Sequence, residues 1–175
     1  MKKTLVVLAI LALTAVPAFA ASSNASTTVS VTVAAAANVA VSSPTTLVYA
    51  GTFPTGSYNG STTVTFSCRT TKVGGDGSIT LSATAATWTA GAGGVGPLVA
   101  DLKYTSAAGT YAGAGTYTGA STTVINGTET DVVTGLGANN RTSAKTVITS
   151  FTLADNVAWE TDTYTLPVRF TLNAL

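Results

Sequence analysis

An all-β sandwich is the fold class this sequence predicts, and three observations predict it. Short segments alternate apolar and polar residues with a period of two; Gly, Pro, Asn and Asp punctuate the chain between them; and outside the first twenty residues no apolar stripe of helical period runs beyond a turn or two. Strands of that kind bury one face each, so two antiparallel sheets facing one core are the default solution, with a barrel as the alternative closure.

The chain opens on Lys2 and Lys3, an apolar run from Leu5 to Leu13, and Pro17 followed by Ala18-Phe19-Ala20. That is the form of an export signal, so the mature protein is expected to begin near Ala21 and to be exported to the cell surface or beyond. The apolar run is too short for a membrane span, and no later stretch approaches the roughly 18 apolar residues that one needs. About 155 residues remain, one domain of ordinary size.

Thr28 to Val41 is the strongest signal. Val29, Val31, Val33, Ala35, Ala37, Val39 and Val41 fall on one face, and the valines and threonines favour a pleated strand; a helical turn over Ala34–Ala37 is the competing reading. Ser43-Pro44 then marks a turn before a short strand over Thr46–Tyr49. After a loop with Gly51, Pro54, Gly56 and Asn59-Gly60, Val64, Phe66 and Cys68 share one face of a core strand. Across the turn at 73–78, Ile79, Leu81, Ala83 and Ala85 resume the alternation, which reads as a β-hairpin over 62–85.

Beyond Trp88 and a glycine-rich loop, Leu98, Ala100, Leu102 and Tyr104 alternate with Val99, Asp101 and Lys103. The hexapeptide Gly109–Ala114 is repeated, with one change, as Gly115–Ala120. Two copies are too few for a solenoid, and the pair reads as a flexible hairpin or loop at the surface that presents Tyr111 and Tyr117. Asn126-Gly127 between Val124-Ile125 and Val132-Val133 is a second hairpin signal. Val147, Thr149, Phe151 and Leu153 form another half-buried strand, and Asp155-Asn156 turns the chain. The last strand, 163–175, sets Tyr164, Leu166, Val168, Phe170 and Leu172 on one face. Pro167 cannot donate a ladder hydrogen bond, which points to a sheet edge or a bulge.

Charged residues make up only 9% of the chain, and loss of Lys2 and Lys3 leaves six basic and seven acidic side chains, a formal charge of −1. No basic stripe is offered to nucleic acid. Histidine is absent, which removes the commonest general base and metal ligand and with them Ser-His-Asp and Cys-His chemistry. Glu129 with Asp131, and Glu160 with Asp162, each sit two apart on one strand face rather than across a cleft. No catalytic, cofactor or metal site is therefore expected, and the protein is not read as an enzyme. Cys68 stands alone, so no internal disulfide can form; it is expected to be buried and unpaired, an intermolecular disulfide being the alternative.

With Val29, Val31 and Val33 behind an export signal, Leu102-Lys103-Tyr104 in mid-chain and a terminal strand opened by Tyr164, the chain resembles the pilin subunits of archaic chaperone–usher fibres, the spore-coat-protein-U-like family. It departs from that pattern in its single cysteine and in Thr163 before Tyr164. The resemblance implies an incomplete immunoglobulin-like sandwich over 34–175, preceded by a donor-strand segment, 21–33. Val29, Val31 and Val33 of that segment complete the next subunit. Its expected partners are identical subunits in a head-to-tail homopolymer, together with a periplasmic chaperone and an outer-membrane usher unless assembly needs no dedicated chaperone; the expected role is a pilus or fimbria serving adhesion or biofilm. The other class is a self-contained surface adhesin or carbohydrate-binding module, in which 29–41 pair within the chain and Tyr111, Tyr117 and Trp88 meet a ligand.

Overall fold

The structure is a computed structural model, and it describes residues 26–32, 36–42, 44–69, 77–92, 94–110, 115–137 and 144–174. Its contacts divide the chain into two units, Met1–Thr32 and Val33–Leu175. In the first unit, residues 26–32 form no strand, and Val29 and Val31 are 90% and 84% exposed. The export-signal residues, Val33, Tyr111 and the turn at 73–76 lie outside the described residues.

The second unit is all-β. Its strands are β1 (Ala36–Val41), β2 (Val48–Ala50), β3 (Ser57–Arg69), β4 (Gly77–Ala83), β5 (Thr89–Ala90), β6 (Leu102–Ala108), β7 (Thr116–Tyr117), β8 (Thr122–Thr123), β9 (Thr130–Leu136), β10 (Lys145–Ala154), β11 (Tyr164–Thr165) and β12 (Val168–Asn173). One sheet has the order β1-β3-β10-β6-β8, with β2 beside the start of β3; the other has the order β12-β4-β9-β7, and β11 and β5 form a short ribbon. All nine pairings are antiparallel among the described residues.

Both sheets feed one core. Val64, Phe66, Val147 and Phe151 come from the first, and Ile79, Leu81, Val132 and Val133 from the second. Two side chains of β6 pin the sheets together: the buried Tyr104 hydroxyl lies 2.7 Å from the Asp131 carbonyl and 2.9 Å from Thr130 Oγ1, and Ser106 Oγ donates to the Val132 carbonyl. Each supplies a partner to a polar group that would otherwise be costly to bury. Burial pushes the Tyr104 phenol up. Cys68 is free and buried, 2% exposed, as its shared face with Val64 and Phe66 implied, and burial pushes its thiol up as well.

Several expectations are corrected. Of the opening strand expected over Thr28–Val41, the described strand is Ala36–Val41, in register with β3 from Ala36–Arg69 to Val41–Val64, and residues 28–32 form no strand. No hairpin spans 62–85. β3 pairs with β1, β2 and β10, whereas β4 pairs with β9 and β12 in the opposite sheet. Alternation set the core-facing side of most strands correctly, but both sheets face the same core, so it could not say which sheet each strand joins.

Asn126-Gly127 likewise closes no hairpin: β8 belongs to the first sheet and β9 to the second. Gly127, at φ +67°, takes the left-handed conformation where the chain crosses over, and its N–H donates to the Ala83 carbonyl at 3.0 Å. Ahead of β6, a single 3-10 turn over Val99–Asp101 shifts the phase by one residue. Val99 turns inward while Leu98 stays 67% exposed, against the expected inward face of Leu98 and Ala100. The repeat region is not all loop either, since Thr116 and Tyr117 form β7 against β9. Finally, the terminal strand divides at Leu166-Pro167 into β11 and β12, and β12 is the edge strand that Pro167 called for.

Candidate functional site

β12 has β4 on one side and no strand hydrogen-bonded to the other among the described residues. Along that open side the sheets part to leave a groove of about 1150 Å³, formed wholly within the second unit. One wall is the inner face of the first sheet, with Tyr58, Leu102, Phe151 and Leu153; the other is the edge of the second sheet, with Leu166, Val168 and Phe170. These last three, together with Leu172, pack on the core yet stay only half-buried. With a strand on one side only, the core-facing side chains of β12 stay partly open to the groove.

Aromatic side chains crowd one end of the groove, and two of them are tied to the backbone by their polar atoms. Trp88 Nε1–H donates to the Leu98 carbonyl at 3.1 Å. The Tyr164 hydroxyl lies 2.7 Å from the Val95 carbonyl and 2.9 Å from that of Glu160, and Gly96 lets its ring lie flat against the chain, where any Cβ would collide with it. Burial, with the charges of Asp162 and Glu160, raises the Tyr164 phenol, so it stays a protonated donor. The loop below is stitched to the same segment by Glu160 N–H to the Val95 carbonyl at 2.9 Å and Ala92 N–H to Asp162 Oδ2 at 2.7 Å. Across the groove, Tyr49 and Tyr58 meet edge to face with centroids 5.1 Å apart. Ring faces and aliphatic side chains share the lining with hydroxyls and carboxylates, Thr62, Asp155, Glu160 and Asp162 among them.

No protein-family model matches the chain, and no curated protein or solved structure does.

The arrangement offers apolar and aromatic surface edged by hydroxyls and carboxylates. Small-molecule pockets commonly enclose about 300–1,000 Å³, and this open groove is of about that size or slightly larger. Among the described residues no three His, Cys, Asp or Glu side chains come together as a metal site, and no helix is long and apolar enough to cross a membrane.

The residues singled out in sequence are dispersed. Val29 and Val31 are exposed in the first unit, and Tyr117 is half-buried against the core in β7. β7 is the edge opposite β12, whereas Trp88 lines the groove beside β12; the structure does not bring Trp88 and Tyr117 together. The resemblance implies an open groove, but no pattern in the sequence names the residues of its walls. Its strand residues were read correctly as core-facing, and the usable signal was the pairing of a Pro-interrupted terminal strand with three large aromatics, Trp88, Trp159 and Tyr164, at segment ends.

Proposed function

We propose that this chain is the exported structural subunit of an extracellular filament, of the archaic chaperone–usher type, in which the N-terminal segment of one copy completes the immunoglobulin-like sandwich of the next. The observation that carries the reading is the preformed groove beside the unpaired edge of β12, in a chain whose Val29 and Val31 form no strand and face solvent. An exposed alternating segment and an exposed sheet edge are each an aggregation hazard; joined, they remove one another. A valine moved from water into such a groove contributes about 1.5–3 kcal/mol, and each backbone hydrogen bond made along β12 about 1 kcal/mol more. Because the groove stands ready, only the incoming strand pays the ordering cost. Pairing of β1 within its own sheet is compatible with this, since the donor residues precede β1.

The aromatic wall of Trp88, Trp159 and Tyr164 favours one other reading, a self-contained surface module whose groove takes a ligand. Electron microscopy of the mature protein, wild type and Val31→Asp, decides between them. Filaments from the wild type and none from Val31→Asp, with the same β-rich circular dichroism, support strand exchange. Monodisperse monomers, or filaments indifferent to Val31→Asp, sink it.

A further inference from the structure

Among the described residues of the second unit, four of the eight exposed large apolar side chains gather at one place; the other four, Val41, Val48, Ile125 and Ile148, lie on β1, β2, the crossover after β8 and β10. Phe53, Val95, Leu98 and Val157 are 68%, 58%, 67% and 67% exposed, and all four lie in loops at the end of the sandwich where β3 and β6 begin and β10 ends. Phe53 and Val157 line the mouth of the groove. Val95 and Leu98 are held beside it by the bonds their carbonyls accept from Tyr164 and Trp88. Apolar surface gathered in this way marks an interaction site. A single strand lying in the groove would leave these loop tips uncovered.

We propose that this rim docks onto the body of the next copy of the chain, so that successive subunits pack directly on one another instead of hanging on a tether. The proposal rests on the strand-exchange reading and goes beyond it, because donor insertion alone needs no contact between bodies. Direction and length point to a second copy. Every strand pairing described here is antiparallel, and β12 runs away from the groove mouth, from Val168 to Asn173. A strand added antiparallel to β12 therefore leaves the groove at the mouth with its C-terminal end. Ala36, the first residue of β1, follows Thr32 by four positions, a reach of at most about 14 Å. No Gly or Pro lies between Ser26 and Val41 to give slack. The exposed start of β1, Ala36 and Ala37, is thereby held against Phe53 and Val157 of the copy that accepts the strand. Such a contact joins two different faces, so it repeats along a fibre without closing.

Cysteine cross-linking in the mature chain tests this. Phe53→Cys with Ala37→Cys, and separately Val157→Cys with Ala36→Cys, are made in a Cys68→Ala chain, because Ala37 lies directly opposite the free Cys68 across the β1–β3 pair, and are oxidised in dilute solution and run on a non-reducing gel. The expected result is a ladder of disulfide-linked multimers from at least one pair, holding most of the protein, and no ladder when Ser61→Cys, on the outer face of β3, replaces Phe53→Cys. Adding Val31→Asp should abolish the ladder together with the filaments. Filaments in the micrographs with no ladder from either pair overturn the rim contact and leave strand exchange standing. A ladder that persists in Val31→Asp overturns strand exchange and shows that the rim docks by itself.

Discussion

β10 and β12 carry the same alternation of apolar and polar residues, and they meet different fates. On β10, Val147, Thr149, Phe151 and Leu153 are all between 0% and 6% exposed, because β3 and β6 flank the strand on both sides, and this holds even where Phe151 and Leu153 line the groove. On β12, Val168, Phe170 and Leu172 stay half-buried with one neighbour strand. β3 shows the change within a single strand: Tyr58 and Gly60 are half-buried beside the groove, whereas Val64, Phe66 and Cys68 are buried further along. Burial of an alternating face is thus decided by what flanks and covers it, and the deficit here is confined to one edge.

Truncations on either side of that divide should break the symmetry most. Leu81→Ala, at a site with no exposure, is expected to cost about 2–5 kcal/mol in urea unfolding, while Phe170→Ala costs the isolated subunit less than half as much. In assembled protein the gap should narrow, because Phe170 then gains a cover. Equal losses in the isolated subunit would mean that the groove is closed there. Next in size is Tyr104→Phe, which removes the hydroxyl pinning β6 to Asp131 and leaves the groove untouched. It should lower stability by about 1–2 kcal/mol, and unchanged chemical denaturation would show that the pin contributes nothing.

Thr149→Val sharpens the comparison in the other direction. Thr149 Oγ1 is buried with no hydrogen-bond partner, so an isosteric methyl group should raise stability by about 1 kcal/mol; a loss would point to a bound water bridging the hydroxyl. The smallest effect is expected from Glu129, on the outer face over β4 and β12. Hydroxyl donors from Thr171, at 2.8 Å, and Thr80, at 2.9 Å, with Arg169 3.7 Å away, hold its carboxyl below the ordinary carboxylate range. A depressed carboxylate stabilises the fold above its unfolded value of about 4.3, and that contribution is lost as pH falls below it. Melting temperatures of wild type and Glu129→Gln should therefore converge between pH 5 and 3. Parallel curves would remove Glu129 as a clamp on β12, and because the group is exposed the difference should be small.

Much of the core was legible in the sequence, since a period of two is a local property: Val64, Phe66 and Cys68, and Val147 to Leu153, turn inward where alternation placed them. Leu98 and Ala100 broke the pattern because a 3-10 turn, anchored by the Leu98 N–H to Asp101 Oδ2 bond at 2.8 Å, slipped the phase by one residue. Of the candidate site, the donor residues Val29 and Val31 could be picked out as an alternating segment, but the walls of the groove could not. They come from Tyr58, Leu102, Phe151 and Phe170, more than a hundred residues apart at the extremes, and only their juxtaposition makes a space.

By itself the sequence determined the class of fold, the core-facing side of most strands, the buried lone thiol and the edge placement of the strand after Pro167. The tertiary structure alone decided that β3 and β4, and β8 and β9, part into opposite sheets, and that the open edge of β12 is left lining a groove. The physical reason is that side-chain alternation specifies a face but not a neighbour. Two sheets packed on one core present the same alternation, and which strands pair is settled only when long-range backbone hydrogen bonds and cross-sheet packing are made together.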